Sequence, residues 1–171
     1  MLGFFERQRL VRKGLASSKQ RRRRTESELV QTLEHGLLSK LGLFAAFVLG
    51  LAFLILSDGG PSATDNVLIG ILIFVVALAQ LWINHPRAWE SNSRLVLIFG
   101  VLLIHLAAVK WVLITADAQP LVERQLLWRL AVPYSLAPLT LSVLLGRNHG
   151  IYATIFASLW TALVYRSLSD A

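Results

Sequence analysis

Long apolar runs separated by short polar segments dominate the chain from residue 37 onward. The runs cover residues 37–56, 67–83, 95–114, 126–145 and 151–168. A helix needs about 20 mainly apolar residues to cross the hydrocarbon core of a bilayer, within a range of about 17–25. The segments between the runs are rich in Gly, Pro, Asn, Asp and Ser, which are typical of turns. The pattern predicts an all-α fold, a polytopic transmembrane helical bundle of about five spans over residues 37–171.

The overall composition also indicates a membrane protein. Hydrophobic residues make up 55% of the chain and charged residues only 16%, whereas soluble domains carry about 25% charged residues. The chain contains no cysteine, which excludes disulfide bonds, thiolate metal sites and cysteine nucleophiles.

Residues 1–36 differ from the rest because they are polar and basic, and we interpret them as a cytoplasmic tail. Its densest charge is the run Arg21, Arg22, Arg23 and Arg24. Four consecutive arginines could bind nucleic acid, but beside a membrane anchor we expect them to contact anionic lipid, at about 1 kcal/mol per basic residue. Thr25 and Glu28 form a capping box, which predicts a short amphipathic helix leading into the first span. Anionic lipid is therefore the expected partner of the tail, and nucleic acid is not.

The orientation follows from the basic residues near the ends of the spans. With the N-terminus inside, the cytoplasmic side receives 13 of the 17 Lys and Arg residues and the outer side receives four. We therefore expect a cytoplasmic N-terminus and, with five spans, an external Ala171.

Few polar residues interrupt the apolar runs, and His105, in the middle of the third run, is the most notable. Ionisable residues at this depth are rare and often functional; the alternative that we favour is a neutral imidazole hydrogen-bonded to a neighbouring helix. No H-x-x-x-H or H-E-x-x-H motif occurs, so we expect neither a metal nor a cofactor. Lys110 and Arg129 lie near predicted helix ends and are expected to reach the headgroups. An aromatic belt at the interfaces is expected from Trp82, Trp111, Trp128 and Tyr152.

Proline and small residues predict how the helices bend and pack. Pro133 and Pro138 predict kinks in the fourth span, which membrane helices tolerate, and residues 146–150 predict a tight cytoplasmic turn after it. Stripes of small residues allow close helix contact in lipid, either within the bundle or in a homo-oligomer or with a membrane partner. They comprise Gly42, Ala46 and Gly50 in the first span and Ala153, Ala157 and Thr161 in the fifth.

Pro133, the run LSVLLGR and the new apolar segment from Ile151 resemble the membrane domain of bacterial seven-transmembrane HD phosphohydrolases. In that family a proline-containing helix ends in a Leu-Leu-Gly-like cytoplasmic turn. The resemblance extends over residues 67–171 and implies a location in the bacterial cytoplasmic (inner) membrane. The family's HD domain binds metal through His and Asp and hydrolyses cyclic di-AMP. No His-Asp dipeptide occurs in this chain, so none of its residues inherits a catalytic or metal-binding role.

Three hypotheses about function follow. The first is a membrane-anchoring and sensory part of an HD-type cyclic-dinucleotide phosphohydrolase-like protein, without the catalytic domain and so not an enzyme by itself. The alternative is a free-standing small integral membrane scaffold or regulatory subunit. A transporter or channel subunit has the least support, because His105 is the only ionisable residue near mid-membrane depth in the sequence.

Overall fold

The computed structural model describes residues 36–57 and 63–169, and all regular structure within them is helical. The helices are α1 Leu37–Leu56, α2 Ala63–Asn84, α3 Pro86–Trp89, α4 Asn92–Asp117, α5 Val122–Leu130, α6 Leu136–Leu145 and α7 Arg147–Ser169. Four of them, α1, α2, α4 and α7, are long and apolar enough to cross a membrane. The predicted all-α membrane bundle is therefore confirmed. The interpretation of residues 1–35 as a tail, with Arg21 to Arg24, lies outside the described residues.

Helices α1, α4 and α7 run in the same direction between the two ends of the bundle, and α2 runs in the opposite direction. We call the end at which α1 begins the proximal end and the opposite one the distal end. At the proximal end, Asn92 at the start of α4 donates to the Gly36 carbonyl at 3.3 Å. At the distal end, the ammonium group of Lys110 in α4 donates to the carbonyl of Leu54 in the last turn of α1. The start of α4 thus lies beside the start of α1, and α2 connects the two ends in the opposite direction.

An aromatic cluster joins the four long helices at the centre of the bundle. Phe47 of α1 lies 5.0 Å from Phe74 of α2, 4.9 Å from Phe99 of α4 and 5.1 Å from Trp160 of α7, measured between ring centroids. All four side chains are buried. Aromatic pairs at these separations add to the stability that apolar burial gives, so the cluster is the packing centre of the fold.

The outer surface of the bundle is apolar. Leu38 of α1 is 84% exposed, Leu72 of α2 is 64% exposed and Val143 of α6 is 81% exposed. Soluble monomers rarely expose apolar patches larger than a few hundred Å². Such a surface is suited to contact with lipid chains.

The fourth predicted span is not one helix. The chain leaves α5 at Leu130, is non-helical over residues 131–135 and re-enters a helix at Leu136, so the prediction of a continuous helix over 126–145 is wrong. Pro133 lies within the break, where its missing N–H and its ring prevent a continuous helix. Pro138, by contrast, lies in the first turn of α6, where no intrahelical hydrogen bond requires its N–H. The prolines therefore mark a break and a helix start, and the two predicted kinks do not occur.

The connection from α6 to α7 is shorter than the sequence predicted. Gly146 alone separates the two helices, with φ 99° and ψ 167°, and the remaining residues of the predicted turn form the first turn of α7. Gly150 permits the close approach of the two helices, because a Cβ there would lie 2.8 Å from the Cβ of Ser142. Helix α7 begins at Arg147 and has 23 residues, so it starts before the predicted span over 151–168.

Candidate functional site at the proximal end of the bundle

Two histidines that are distant in sequence meet at the proximal end. His85 lies between α2 and α3, and His149 lies in the first turn of α7. Their ring centroids are 4.5 Å apart, with 34° between the ring planes. Helix α2 ends at Asn84 because the residue before a proline, here His85 before Pro86, disfavours the helical conformation. The local sequence thus holds His85 outside the helix, where it contacts His149.

The hydrogen bonds of His149 determine its protonation pattern. Its Nδ1 lies 3.0 Å from the carbonyl oxygen of Leu145. A carbonyl only accepts hydrogen bonds, so Nδ1 carries the proton and Nε2 of the neutral ring is an acceptor. Among the described residues, this buried Nε2 has no hydrogen-bond partner. His149 therefore has one ring nitrogen that is buried at the cleft and has no hydrogen-bond partner among the described residues.

The histidine pair lines a cleft of about 400 Å³. The cleft is bounded by Asn84, His85, Pro86, Arg87, Ala88, Arg94, Leu145, Asn148 and His149. An adjoining cleft of about 310 Å³ shares Asn84, His85 and Asn148 with it and adds Gln80 and Tyr152 to the polar lining. Polar groups from α2, α3, α4 and α7 thus converge on one region.

The charge of the larger cleft is positive. Arg87 and Arg94 supply permanent charge, and no Asp or Glu is among the described residues that line it. Arg94 Nη1 donates to the Arg87 carbonyl at 3.4 Å, which ties the Arg94 side chain to the backbone of Arg87 at the rim of the cleft. Burial lowers the pKa of His85, and the neighbouring His149 lowers it further. At neutral pH the cleft therefore combines two guanidinium groups with a neutral His85.

The donor set of the cleft suits an anion better than a metal ion. Catalytic zinc sites use about three protein ligands and structural ones about four. Within the described residues there is no group of three or more His, Cys, Asp or Glu side chains placed to hold a metal. Guanidinium groups recognise carboxylate and phosphate oxygens with charge-assisted hydrogen bonds.

His105 forms a second polar centre inside the bundle. It is 1% exposed, and its Nε2 lies 3.4 Å from Thr161 Oγ1 of α7. The backbone of Pro133 lies near enough to affect the ring electrostatically, and the buried Nδ1 has no hydrogen-bond partner among the described residues. Non-helical backbone at membrane depth occurs only where protein buries it or water reaches it, and here the break over residues 131–135 adjoins a buried imidazole. Sequence reasoning identified His105 and Pro133 separately, and the structure brings them together.

Two residues that the sequence assigned to the membrane interface lie in the interior. Lys110 is only 5% exposed, and it donates to the Leu54 carbonyl and the Ser57 hydroxyl at the end of α1. Tyr152 is buried and donates to the Ala77 carbonyl of α2 at 3.2 Å. Both interpretations were wrong because helix-terminal and backbone carbonyls of neighbouring helices offer acceptors within the bundle. Trp82 and Trp111 do face outward, as predicted for the belt.

Arg129 pairs with a carboxylate at the distal end. Its Nη2 donates to Asp117 Oδ1 at 2.8 Å, and both side chains are about half exposed. This hydrogen bond, with the charge of Asp117, raises the pKa of Arg129. The pair connects α5 to the end of α4, where the sequence had predicted contact with headgroups.

The small-residue stripes lie in different surroundings. Ala153, Ala157 and Thr161 are buried inside the bundle, and a Cβ at Gly50 would meet Leu103 at 3.2 Å. A Cβ at Gly42 would meet no atom within 4 Å. The stripe in α7 therefore serves internal packing, whereas the first part of the stripe in α1 faces outward.

The histidine pair escaped the sequence analysis because its members are separated by most of the bundle. One signal was present: the dipeptide Asn-His occurs twice, as Asn84-His85 before Pro86 and as Asn148-His149 before Gly150. Each copy follows a predicted apolar run at the side expected to be cytoplasmic. The repetition places the two dipeptides at the same side of the predicted bundle, but their contact depends on how the helices pack.

Comparison with known proteins identifies no relative. No protein-family model matches the chain, and no curated protein or solved structure matches it significantly.

Proposed function

We propose that this chain is a multi-pass module of the bacterial cytoplasmic membrane that anchors and regulates a cytoplasmic activity. Its proximal end and N-terminus face the cytoplasm. The proposed partner activity is an HD-type cyclic-dinucleotide phosphohydrolase, for which this chain is the anchoring and sensory part. The resemblance from Pro133 to Ile151 supports the choice of family, and the excess of basic residues before residue 41 supports the orientation.

The observation that carries the sensory role is the broken fourth crossing beside His105. A bundle that only anchors a protein needs apolar helices and no buried polar centre. Here the non-helical segment around Pro133 lies beside an imidazole whose Nε2 is 3.4 Å from Thr161 Oγ1. Switching proteins use elements with two discrete arrangements, which a local change can bias. A short half-helix beside a polar centre is such an element, and α6 connects it directly to the proximal end.

Topology is the first test. Reporter fusions at residues 30, 62, 90, 120 and 171 should report inside, outside, inside, outside and outside. The return from the distal to the proximal end runs through α5, the break and α6, which makes five crossings although only four helices are long. An inside signal at residue 120, or an outside signal at residue 30, would contradict the proposed orientation.

The second test separates anchoring from catalysis. The purified chain should not hydrolyse cyclic di-AMP in the presence of Mn²⁺, and it should co-purify with a co-expressed HD-domain phosphohydrolase of the same family. A variant with Thr161→Val, which removes the hydroxyl beside His105 and keeps its volume, should retain co-purification and change the partner's hydrolysis rate. Unchanged rates in this variant would contradict the sensory role.

The outward part of the stripe in α1 favours the alternative, a scaffold or regulatory subunit that binds another membrane helix. Gly42 has open space beside it and Ala46 is also exposed. Close helix contacts in membranes are enriched in small residues. Under this alternative, Gly42→Leu should abolish cross-linking to a second copy or to a partner, whereas Leu49→Phe, on another outward position, should not.

A further inference from the structure

We infer that the cleft around His85 and His149 binds a phosphate-bearing anion, and that His149 takes up one proton when the anion binds. The ligand would bind at the proximal end of the bundle. The binding itself does not depend on the proposed function, which determines only how deep the cleft lies in the membrane. The shared chemistry is a phosphate group, supplied either by an acidic lipid headgroup or by a free phosphate compound.

The charge of the larger cleft favours an anionic ligand. The larger cleft is lined by Arg87 and Arg94, and the described residues lining it include no carboxylate. Two guanidinium groups without a local counterion attract an anion. The planar guanidinium fork matches phosphate geometry and bonds it in a bidentate manner. An arginine whose only role is to orient the protein needs no such convergence: Arg147, which lies at the same end and is exposed like Arg87 and Arg94, does not line the cleft.

The size of the larger cleft suits a small molecule. A volume of about 400 Å³ lies within the range of about 300–1,000 Å³ that is usual for small-molecule sites. The adjoining cleft supplies amide groups from Gln80 and Asn148. These groups are suited to the hydroxyls of a glycerol or sugar attached to the phosphate. The site is therefore large enough for a headgroup or a small phosphate ester.

The hydrogen bonds of His149 determine how it can donate to an anion. His149 commits its Nδ1 hydrogen to the Leu145 carbonyl, and its buried Nε2 has no partner among the described residues. To donate to an anion, Nε2 must gain a proton from solvent, because only the imidazolium form donates from both nitrogens. The bound anion then neutralises the new charge. Apart from hydrogen bonds to the anion, the new N–H bond is the only bond that forms.

The groups around His149 determine how its protonation depends on the ligand. His85, Arg87, Arg94 and Tyr152 approach from the neighbouring elements; α6 contributes no titratable side chain, and Lys40 of α1 lies over the Trp89 ring. A bound anion adds negative charge beside His149 and favours its imidazolium form, so ligand binding and proton uptake are coupled.

The test uses the full chain in maltoside micelles, which contain no phosphate, in a phosphate-free buffer. Histidine labelled with ¹⁵N reports the state of Nε2 directly, and the His149→Gln variant assigns the signal. One arm adds inorganic phosphate and the other adds phosphatidylglycerol to the micelles. We expect a shift of the His149 Nε2 signal to the protonated range in at least one arm. A response to the lipid alone identifies a headgroup, and a response to phosphate alone identifies a free ligand.

Matched variants separate the cleft from general surface charge. Arg87→Gln or Arg94→Gln should weaken binding about tenfold, the usual effect of losing a charged hydrogen bond. Arg147→Gln removes the same charge from a position outside the cleft and should change binding less than about twofold. His149→Gln should also weaken binding, because glutamine cannot supply the charged donor of an imidazolium.

Two results would overturn the inference. One is the absence of an Nε2 response in both arms. The other is an equal loss of binding in Arg147→Gln and in the two cleft variants, which would indicate diffuse attraction only. The micelle measurement does not depend on orientation in a cell, so a contrary topology result would contradict the proposed function and leave this test unaffected.

Discussion

Lys110 of α4 donates to the carbonyl oxygen of Leu54 in the last turn of α1. The ammonium group also contacts the hydroxyl of Ser57, which caps the same helix end. The last carbonyls of a helix have no intrahelical donor, and here a side chain from another span supplies one. A residue that looks in the sequence like a surface cation thus fixes the position of α1 against α4.

Replacing Lys110 by methionine should lower the free energy of unfolding by about 1–3 kcal/mol, because the end of α1 loses a charged hydrogen bond. The measurement is unfolding of the purified chain in mixed micelles. Arg124→Gln, an exposed change at the same end, should have an effect within about 0.5 kcal/mol. The double variant with Ser57→Ala should lose less than the sum of the single losses, because the two residues share one interaction. Additive losses would contradict the contact.

Gly150 and Gly42 provide a matched pair of alanine substitutions. At Gly150 a new Cβ would lie 2.8 Å from the Cβ of Ser142 and 3.2 Å from the Pro138 carbonyl. We expect Gly150→Ala to destabilise the bundle by about 1–3 kcal/mol through overpacking. Gly42→Ala meets no atom and should stabilise α1 by up to about 1 kcal/mol, since glycine is a poor helix former. Melting temperatures in micelles should move in opposite directions.

Gly146 has a backbone conformation that side chains disfavour. Its φ of 99° and ψ of 167° belong to a region that is used almost only by glycine, at a cost of about 1–3 kcal/mol for other residues. We expect Gly146→Ala and Gly146→Asn to be destabilised alike. Asparagine usually rescues left-handed helical positions, so rescue by Asn would indicate that the connection has a different geometry.

The lowered pKa of His85 predicts acid sensitivity. Because burial and His149 favour the neutral form in the folded state, the stabilising contribution is complete above the ordinary histidine pKa of about 6.5 and is lost as pH falls below it. Unfolding measured in phosphate-free buffer should become easier between pH 7 and pH 5. His85→Gln should show a smaller decline over this range. An identical decline in both proteins would assign the sensitivity to other groups.

The arginine run before α1 gives a prediction about charge and geometry. Changing Arg21, Arg22, Arg23 and Arg24 to lysine keeps the charge and removes the planar fork, so insertion and orientation should not change. Changing them to glutamine should weaken lipid association by roughly 1 kcal/mol per residue. Liposome binding of a peptide covering residues 1–36, over a range of salt concentrations, measures the difference. Equal damage by lysine and glutamine would indicate a specific partner for the arginines.

The sequence predicted the features that depend on local hydrophobicity. The runs around Phe47, Phe74 and Phe99 became α1, α2 and α4 because apolar length alone decides whether a helix suits a bilayer. The fourth run was predicted incorrectly because hydropathy does not register what Pro133 does to backbone hydrogen bonds. The break can be predicted from the sequence only if the helix-breaking effect of Pro133 is given more weight than the apolar composition of the run.

The polar contacts were the least predictable. Lys110 and Tyr152 were assigned to the interface from their positions near predicted helix ends, yet their partners are backbone carbonyls of α1 and α2. Backbone carbonyl acceptors of this kind cannot be identified from the amino-acid composition. His85 and His149 are brought together by the return of the chain through α6, which depends on the whole topology. Contacts between distant turns therefore required the structure.

The single-residue reversal at Gly146 has a consequence for biogenesis. With ten residues, α6 covers about 15 Å, roughly half of the hydrocarbon thickness, so the insertion machinery has little reason to retain it alone. Because Gly150 packs closely against Ser142, we expect α6 and α7 to enter the bilayer together as a hairpin, with α6 retained only once α7 has been synthesised.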